Sequence, residues 1–230
     1  MITFSQLGKY GRLGNQLFQI ASTMGIASLN SMLYTFPEWE YGEHFHHLTT
    51  VGIPPVLKTY KEPDSYYHEV DLEKGVHWDL VGYFQSWKYF NDIKGTILDQ
   101  FYFDKVQREG VALHIRRGDY LTLSHIHPVL PLEYYENALT YFPNTQVFVY
   151  SDDIEWCKQN FKYKDTEFVS TGSDIEDFKL MAGHDKFIMA NSSFSYWAAY
   201  LSCSNAVIAP KNYVTGEDRD DRLLPEWTKI

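Results

Sequence analysis

The segment VALHIRRGDY, residues 111–120, predicts both a fold and a site. Val111 to Ile115 is an apolar, partly β-branched run that stops at Arg116-Arg117-Gly118, which is typical of a buried strand feeding a turn. In an open α/β sheet, ligands bind outside the carboxyl ends of the strands. Two adjacent guanidiniums at such an end favour a bidentate clamp for an anion, most naturally phosphate; the alternative is a pair of surface salt bridges.

The overall charge restricts the class of partner. The chain has 230 residues, enough for one large or two small domains, and 20 Lys and Arg against 30 Asp and Glu give a net charge of -10. An acidic protein of this kind is a poor candidate for binding nucleic acid or an anionic membrane, so any positive field is local. The two cysteines, Cys157 and Cys203, fall in predicted helices without metal-ligand spacing, which predicts buried thiols in a reducing compartment.

No export signal and no segment of transmembrane length is visible, so we expect a cytoplasmic protein. Peripheral association with a membrane, by way of the acceptor substrate, is an open alternative. The sequence does not indicate an oligomeric state.

The first half opens as a strand, a glycine-rich turn and a helix. The strand is predicted over residues 2–7, the turn over 8–16, and the helix continues with apolar residues at helical spacing. Further strands are predicted over 32–36 and 79–84, with a helix from Ser86 to about Phe101. The glycines do not fit the dinucleotide fingerprint and no Walker lysine follows, so a tight turn without a ligand is the alternative. Three histidines could suggest a metal cluster but are better interpreted as loop residues: His44, His46 and His47.

The second half alternates strands and helices regularly. Strands are predicted over 111–115, 146–150, 167–169, 187–190 and 206–209, and helices begin near Pro131, Ser151, Ser173 and Asn191. This alternation predicts a parallel sheet with helices on both faces. We therefore predict two Rossmann-like domains, 1–105 and 106–212, followed by a charged tail, 213–230, that crosses back onto the first.

Three loops of the second half should converge, because all follow parallel strands. They are residues 114–120, 151–153 and 191–195. The arginines offer charged forks, serines and helix-end amides offer donors to phosphate oxygens, and Asp152 or Asp153 offers acceptors to the amine and ring N–H of guanine. Each loop has a plain alternative, because the serines fit ordinary helix caps and the aspartates fit ordinary helix-dipole partners.

Five blocks of sequence carry a family resemblance. They are GRLGNQLFQ at 11–19, GYFQSWKYF at 82–90, HIRRGDY at 114–120, YSDDIEWC at 150–157 and ANSSFSYW at 190–197. Together and in this order they resemble the motifs of the family 11 glycosyltransferases, the bacterial and animal α-1,2-fucosyltransferases. The combination is specific, although no single block is.

The resemblance implies an α/β, GT-B-like fold, with two Rossmann-like domains facing a cleft and the donor bound mainly by the second. It implies inverting transfer of L-fucose from GDP-β-L-fucose, a co-substrate, to the 2-hydroxyl of a terminal galactoside. It implies no cofactor and no metal.

The resemblance also implies roles for single residues. Arg116 would contact the β-phosphate, with Arg117 joining if it points inward, and His114 and an aspartate of the 151–153 loop would contact the guanosine. Asp119 is our candidate base, and an equal alternative is a structural carboxylate that orients an arginine. The diphosphate would be cradled by Asn191, Ser192, Ser193, Phe194 and Ser195, and the acceptor or fucose would lie near Gly14, Asn15 and Gln16.

Some positions depart from the family pattern. Lys186 stands where members usually have histidine, and Tyr196-Trp197 replaces a double tryptophan. The segment before residue 80 is shorter than usual, so the acceptor is the least transferable feature. Two alternatives remain: a glycosyltransferase that uses another GDP-sugar or linkage, and a catalytically weak protein that binds a GDP-sugar or glycan.

Overall fold

The structure is a computed structural model that describes residues 1–48, 52, 55, 58–216 and 221–230. The chain forms two compact units. The first is Met1–Phe103 with Arg219–Leu224, and the second is Asp104–Asp218 with Pro225–Ile230. Of the tail 213–230, residues 217–220 lie outside the described residues. Each unit has its own parallel sheet.

The first unit is a four-stranded parallel sheet with helices. Its elements are β1 (Ile2–Thr3), α1 (Leu13–Leu29), β2 (Tyr34–Thr35), β3 (Lys58–Lys61), β4 (Trp78–Val81) and α2 (Lys94–Gln100). The strand order is β2-β1-β4-β3. The helix α1 is buried over nearly its whole length, so its apolar face is broader than the predicted stripe.

The predicted strands of this unit exist but are shorter than predicted. After Thr3, the amide and hydroxyl of Ser5 donate to the Asp79 carboxylate at 2.8 and 2.6 Å instead of joining the ladder. The third predicted strand stops at Val81 because Gly82 takes a φ of 154°. The predicted helix up to Phe101 begins as two 3-10 turns, Trp87–Tyr89 and Asn91–Ile93, and becomes α-helical only at α2.

The second unit is a six-stranded parallel sheet covered by four helices. Its elements are β5 (Arg108–Ile115), α3 (Leu132–Leu139), β6 (Val147–Ser151), α4 (Ile154–Asn160), β7 (Thr166–Val169), α5 (Asp174–Met181), β8 (His184–Ile188), α6 (Ser193–Ser202), β9 (Ala206–Ala209) and β10 (Thr228–Lys229). The predicted α/β class with parallel sheets is confirmed. The sixth strand, β10, pairs with β9 and was not predicted.

The strand order of the second sheet is β10-β9-β8-β5-β6-β7. From β5 the chain adds strands in one direction through β6 and β7, and then returns to add β8 and β9 on the other side. The reversal lies between β5 and β8, and such a switch point is where open α/β sheets bind their ligands. The loops that follow β5 and β8 therefore border the expected binding site.

One cysteine prediction is wrong. Cys157 is buried in α4, as predicted, but Cys203 is exposed and lies just after α6 with a φ of 61°. The left-handed backbone at this helix end turns the chain away from the core, and α6, the helix in which Cys203 was predicted to lie, ends one residue earlier.

Candidate functional site

The register of the second sheet sets two arginines against two aspartates. In the β5–β6 pair, Ile115 lies opposite Ser151 at the carboxyl ends of both strands. The next residues on the two chains are Arg116 and Arg117 on one side and Asp152 and Asp153 on the other. Two of the predicted loops are therefore adjacent, as parallel strands require.

The Arg116 guanidinium is held on its edges and on its face. Its Nη2 lies 2.5 Å from Asp119 Oδ1, its Nη1 lies 2.8 Å from Asp152 Oδ2, and its Cζ stands 5.2 Å from the ring centre of Tyr120. The side chain is only 13% exposed. A planar fork with restricted rotation is pre-oriented for a second planar or tetrahedral anion.

Arg117 is fixed by a different set of contacts. Its Nε donates to Asp153 Oδ2 at 3.2 Å, and its Cζ lies 3.5 Å from the ring centre of Trp156. Its backbone N–H donates to Asp152 Oδ1 at 2.9 Å. The arginine pair is therefore not a loose pair of surface salt bridges; the two side chains belong to one network that joins two loops.

Gly118 permits this network, although sequence reasoning gave it no role. A Cβ at this position would lie 2.2 Å from Asp152 Oδ2, a distance at which something must shift. The backbone of the motif and the Asp152 carboxylate can approach only because residue 118 has no side chain. A glycine inside the motif was the feature of the sequence that could have indicated this close approach.

Asp152 and Asp153, one of which we expected at the guanine, are both bound to the arginines in this structure. Asp153 also caps α4, because its Oδ1 accepts from the Trp156 amide at 3.4 Å. Ser151, near which this helix was predicted to begin, lies two residues before the N-cap, and its hydroxyl accepts from the Asp153 amide at 3.0 Å.

His114 is a buried, neutral imidazole beside the arginines. It lies near the end of β5, is 4% exposed, and its ring is 5.5 Å from that of Phe194. Burial, and then the charge of Arg116, lower its pKa to about 3. Its Nδ1 is buried with no hydrogen-bond partner among the described residues, and such an atom in a native site needs an explanation.

The serines of the third loop mainly organise the start of α6. Ser192 is the N-cap, and its hydroxyl accepts from the Phe194 amide at 3.3 Å. The Ser195 hydroxyl donates to the carbonyls of Ala190 and Ser192 at 3.1 and 3.2 Å. Ser193 is half-buried in the first turn. The amides of this first turn, together with Ser193, are the donors best placed for an anion.

Asn191 ties the third loop to its neighbours. Its Nδ2 donates to the carbonyls of Pro128 and Tyr213 at 2.9 and 3.1 Å, and its own carbonyl accepts from the Tyr120 hydroxyl at 3.0 Å. Because Tyr120 belongs to the arginine loop, the structure brings the three predicted loops together through hydrogen bonds.

In the first unit, the glycine loop carries two oriented amides. Asn15 Oδ1 accepts from Gln85 Nε2 at 2.7 Å, and Gln16 Oε1 accepts from the Trp39 indole N–H at 2.6 Å. Gly14 lies buried in the first turn of α1, a helix that has no side-chain cap at its N-terminus.

A sequence model of the family described as "Glycosyl transferase family 11" matches residues 58–230. The chain belongs to this family. The resemblance found in the sequence is thereby confirmed.

Several relatives are similar over part or most of the chain. The O-antigen biosynthesis glycosyltransferase WbnK of Escherichia coli is 33% identical over 132 residues, covering 52% of this chain and 44% of the relative. An α-1,2-colitosyltransferase of Escherichia coli is 32% identical over 183 residues, covering 66% and 62%. The galactoside α-(1,2)-fucosyltransferase 2 of Pongo pygmaeus is 27% identical over 269 residues, covering 96% and 77%. The chain thus spans less than two thirds of the first two relatives.

Among solved structures, the α-1,6-fucosyltransferase NodZ soaked with GDP-fucose has a TM-score of 0.51. It is 13% identical in sequence, and the match covers 87% of this chain and 91% of NodZ. At this identity the likeness shows the fold alone, which is the GT-B type with two parallel-sheet units.

Lys186, one of the positions that depart from the family pattern, lies within β8. Lys186 forms an ion pair with Asp185, and it precedes the third loop by several residues. The nearby His184 is buried: its Nε2 lies 2.9 Å from the Tyr150 hydroxyl, and burial together with Arg108 lowers its pKa to about 4. The lysine charge is therefore balanced locally.

Of the three histidines considered as a metal cluster, His47 contacts the end of α2 and the residues that follow it. His47 Nδ1 lies 2.9 Å from Asp99 Oδ1, and its ring stacks on Tyr102. Within the described part of the chain, no three His, Cys, Asp or Glu residues are grouped as a metal would need. Over the same residues, none of the helices is long and apolar enough to cross a membrane.

Proposed function

We propose that this family 11 chain transfers L-fucose from GDP-β-L-fucose to the 2-hydroxyl of a terminal galactoside, with inversion and without a metal. The observation that carries the proposal is the arginine network at the carboxyl end of β5, the strand that borders the strand-order reversal, where Arg116 and Arg117 meet the aspartates that follow β6. The named relatives that transfer fucosyl groups to the 2-position of galactosides support the choice of reaction.

The donor would bind the second unit through its diphosphate. Arg116 uses two of its nitrogens on carboxylates, and a guanidinium has five N–H donors, so a β-phosphate can be added to the same fork. Ser193 and the first-turn amides of α6 would contact the remaining phosphate oxygens, with Asn191, Ser192 and Ser195 holding that turn.

The guanosine would lie against the neutral imidazole of His114 and an aspartate carboxylate. His114 has an unused ring nitrogen, and a neutral ring does not repel the arginines. Binding then requires Asp152 or Asp153 to exchange an arginine contact for the amine and ring N–H of guanine. Phe194, which packs on His114, would complete this side of the site.

The reaction needs charge stabilisation at the leaving group and a base at the acceptor. As the bond between the anomeric carbon and the phosphate oxygen breaks, negative charge grows on the diphosphate, and Arg116 with Arg117 is suited to stabilise it. Inversion requires in-line attack by the acceptor hydroxyl, with its proton passing to a base. Asp119 is our candidate for that base, and the competing role is to orient Arg116, which its 2.5 Å ion pair favours.

The acceptor would bind the first domain, residues 1–105, and the donor would bind the second domain, residues 106–212. Gly14, Asn15 and Gln16 are the candidate contacts with the acceptor or fucose. The side-chain amides of Asn15 and Gln16 already have fixed partners, which is a property of a prepared polar site.

A second candidate function changes the donor. The α-1,2-colitosyltransferase is 32% identical over 183 residues, so a related sugar on the same nucleotide is the alternative. Competition between GDP-fucose, other GDP-sugars and UDP-galactose in a calorimetric titration separates these donors. A protein that only binds a GDP-sugar or glycan would show the titration without turnover.

The test of the donor site compares Arg116, which directly follows β5, with Arg108, which begins that strand. Arg116→Lys removes the fork, and we expect GDP to bind at least about tenfold more weakly, since a bidentate contact becomes a single one. Arg108→Lys is the matched control, because Arg108 also stacks on an aromatic ring and pairs with a carboxylate but lies at the opposite end of β5. Equal affinities of both variants and wild type for GDP would remove the proposal.

The role of Asp119 is tested by Asp119→Asn. A base predicts a fall in kcat of about 10²–10⁴ with unchanged GDP affinity. An orienting carboxylate predicts weaker GDP binding and a proportionate loss of kcat/KM. Release of GDP in the presence of a panel of β-galactosides, beside calorimetry with GDP, distinguishes the two.

A further inference from the structure

Two charged residues near the C-terminal end of the sequence are buried in the first unit. Asp221 is 4% exposed and Arg222 is 6% exposed. The Asp221 carboxylate accepts from the Tyr67 amide at 2.8 Å, and its carbonyl accepts from the Ser86 hydroxyl at 2.8 Å. Burying charges carries a desolvation penalty, so such residues are weak candidates for stabilising the fold alone.

Arg222 begins a chain of side-chain hydrogen bonds that ends at the glycine loop. Its Nη1 donates to Gln85 Oε1 at 2.6 Å, and Gln85 Nε2 donates to Asn15 Oδ1 at 2.7 Å. Residue 222 is thereby connected, through one amide, to a residue at the start of α1. We call Arg222, Gln85 and Asn15 the amide relay.

The guanidinium gives the amide relay a fixed direction. An arginine only donates, so Gln85 must turn its oxygen to Arg222 and its NH₂ to Asn15. Asn15 must then turn its oxygen to Gln85, which leaves its NH₂ on the side of the glycine loop. The Nδ2 atom lies 2.3 Å from where a Cβ on Gly11 would be, so the amide packs against bare backbone.

The neighbouring amide is oriented in the same sense by a second donor-only group. The indole N–H of Trp39 occupies Gln16 Oε1, so Gln16 Nε2 donates to the Gly11 carbonyl at 3.0 Å. In both Asn15 and Gln16, the amide oxygen thus accepts a hydrogen bond on the side away from the glycine loop, and the NH₂ group faces the loop. Such an arrangement suits a ligand that accepts hydrogen bonds, as sugar oxygens do.

We propose that Arg222 is a positioning residue for the acceptor side, which fixes Asn15 as a hydrogen-bond donor toward sugar oxygens. The inference rests on the proposed function, which puts the acceptor or fucose at the glycine loop. It assigns a role to Arg222, because this residue supplies the charge that fixes the direction of the relay.

Two substitutions change the donor-to-acceptor direction of the amide relay, one by removing the first donor and the other by removing the donor of the middle residue. Arg222→Met keeps an unbranched stem, although a shorter one, and removes the donor. Gln85→Glu keeps a partner for Arg222 but cannot donate, so Asn15 must turn its NH₂ back toward residue 85. We expect both variants to raise the KM for a β-galactoside acceptor by about tenfold or more, with GDP affinity within about twofold of wild type.

Two further variants separate positioning from packing. Arg222→Lys retains a donor-only group and should recover most of the acceptor affinity. Leu224→Ala, in the same segment and also buried, should lower the thermal midpoint and leave the acceptor KM unchanged. If Arg222→Met does not fold, Gln85→Glu still tests the inference.

Initial rates of GDP release at varied galactoside, with GDP calorimetry on each variant, decide the matter. An unchanged acceptor KM in Arg222→Met and Gln85→Glu overturns the inference and leaves the proposed function standing. A parallel loss of GDP affinity in both also overturns it, because the relay would then act on the fold as a whole. Failure of wild type to bind GDP removes the proposed function and the inference together.

Discussion

Gly118→Ala tests whether the arginine network depends on a missing side chain. The added Cβ would lie 2.2 Å from Asp152 Oδ2 and 3.1 Å from its Cγ, and Gly118 has no left-handed φ that would forbid alanine. The carboxylate must therefore retreat by about 1 Å to reach an ordinary contact. That movement strains its bonds to Arg116 Nη1, at 2.8 Å, and to the Arg117 amide, at 2.9 Å.

The size of the effect follows from these two bonds. A hydrogen bond to a charged group contributes about 1.5–3 kcal/mol, and the Asp152 side chain is only 21% exposed, so solvent replaces little of the loss. Arg116 keeps Asp119, and alanine itself returns about 0.4–1 kcal/mol by restricting the unfolded chain. We expect a net loss of about 2 kcal/mol, which lowers the thermal midpoint by about 4–8 °C.

A double-mutant cycle isolates the contact. In an Asp152→Ala background there is no carboxylate to displace, so Gly118→Ala should be neutral or slightly stabilising. Gly42→Ala is the control, because a Cβ there meets nothing within 4 Å. Urea unfolding followed by tryptophan fluorescence, with amide exchange at Arg117, reports on the change. If Gly118→Ala costs as much without Asp152 as with it, the proposed contact is not the cause.

Three further results are expected. Between about pH 4 and 5.5 the His114 imidazole is protonated in the unfolded chain but not in the folded chain, where its pKa is about 3. The free energy of unfolding therefore falls as the pH falls. In urea unfolding curves, His114→Asn should reduce this slope by about 1.4 kcal/mol per pH unit. An equal slope in the variant would contradict the buried, neutral imidazole. Ser192→Ala removes the α6 cap and should cost about 1 kcal/mol, measured by chemical unfolding, with an unchanged value as the refuting result. In native protein a thiol reagent should titrate Cys203 but not Cys157, so Cys203→Ser should abolish rapid labelling; persistent labelling would show Cys157 to be accessible.

The sequence by itself determined the strands that have a local hydrophobic pattern. Residues 111–115 and 206–209 are apolar runs, and the structure has strands there because burial on both faces of a parallel sheet demands such runs. The edge strands β3 and β10 were missed, since β3 is largely exposed and β10 has only two residues, so neither leaves a hydrophobic pattern. They are strands because a neighbour supplies the hydrogen bonds, which is a property of the partner.

The convergence of the three loops was also within reach of the sequence, because parallel strands end at one edge. Their pairing was not. Arg116 meets Asp152, and Arg117 meets Asp153, because Ile115 lies opposite Ser151; a shift of one residue would exchange these partners. Register is set by the packing of whole strands, and no local pattern in either loop encodes it.

The amide relay separates most clearly what the sequence determines from what only the tertiary structure determines. The glycine loop and its Asn15-Gln16 pair were visible as a motif, but an amide does not reveal which of its ends faces a ligand. The end that faces the loop is decided by Arg222, which is 137 residues from Gln85 in the chain and adjacent to it in the fold. The sequence thus determined which groups are present, and only tertiary structure decided their direction, because direction depends on a donor brought from far along the chain.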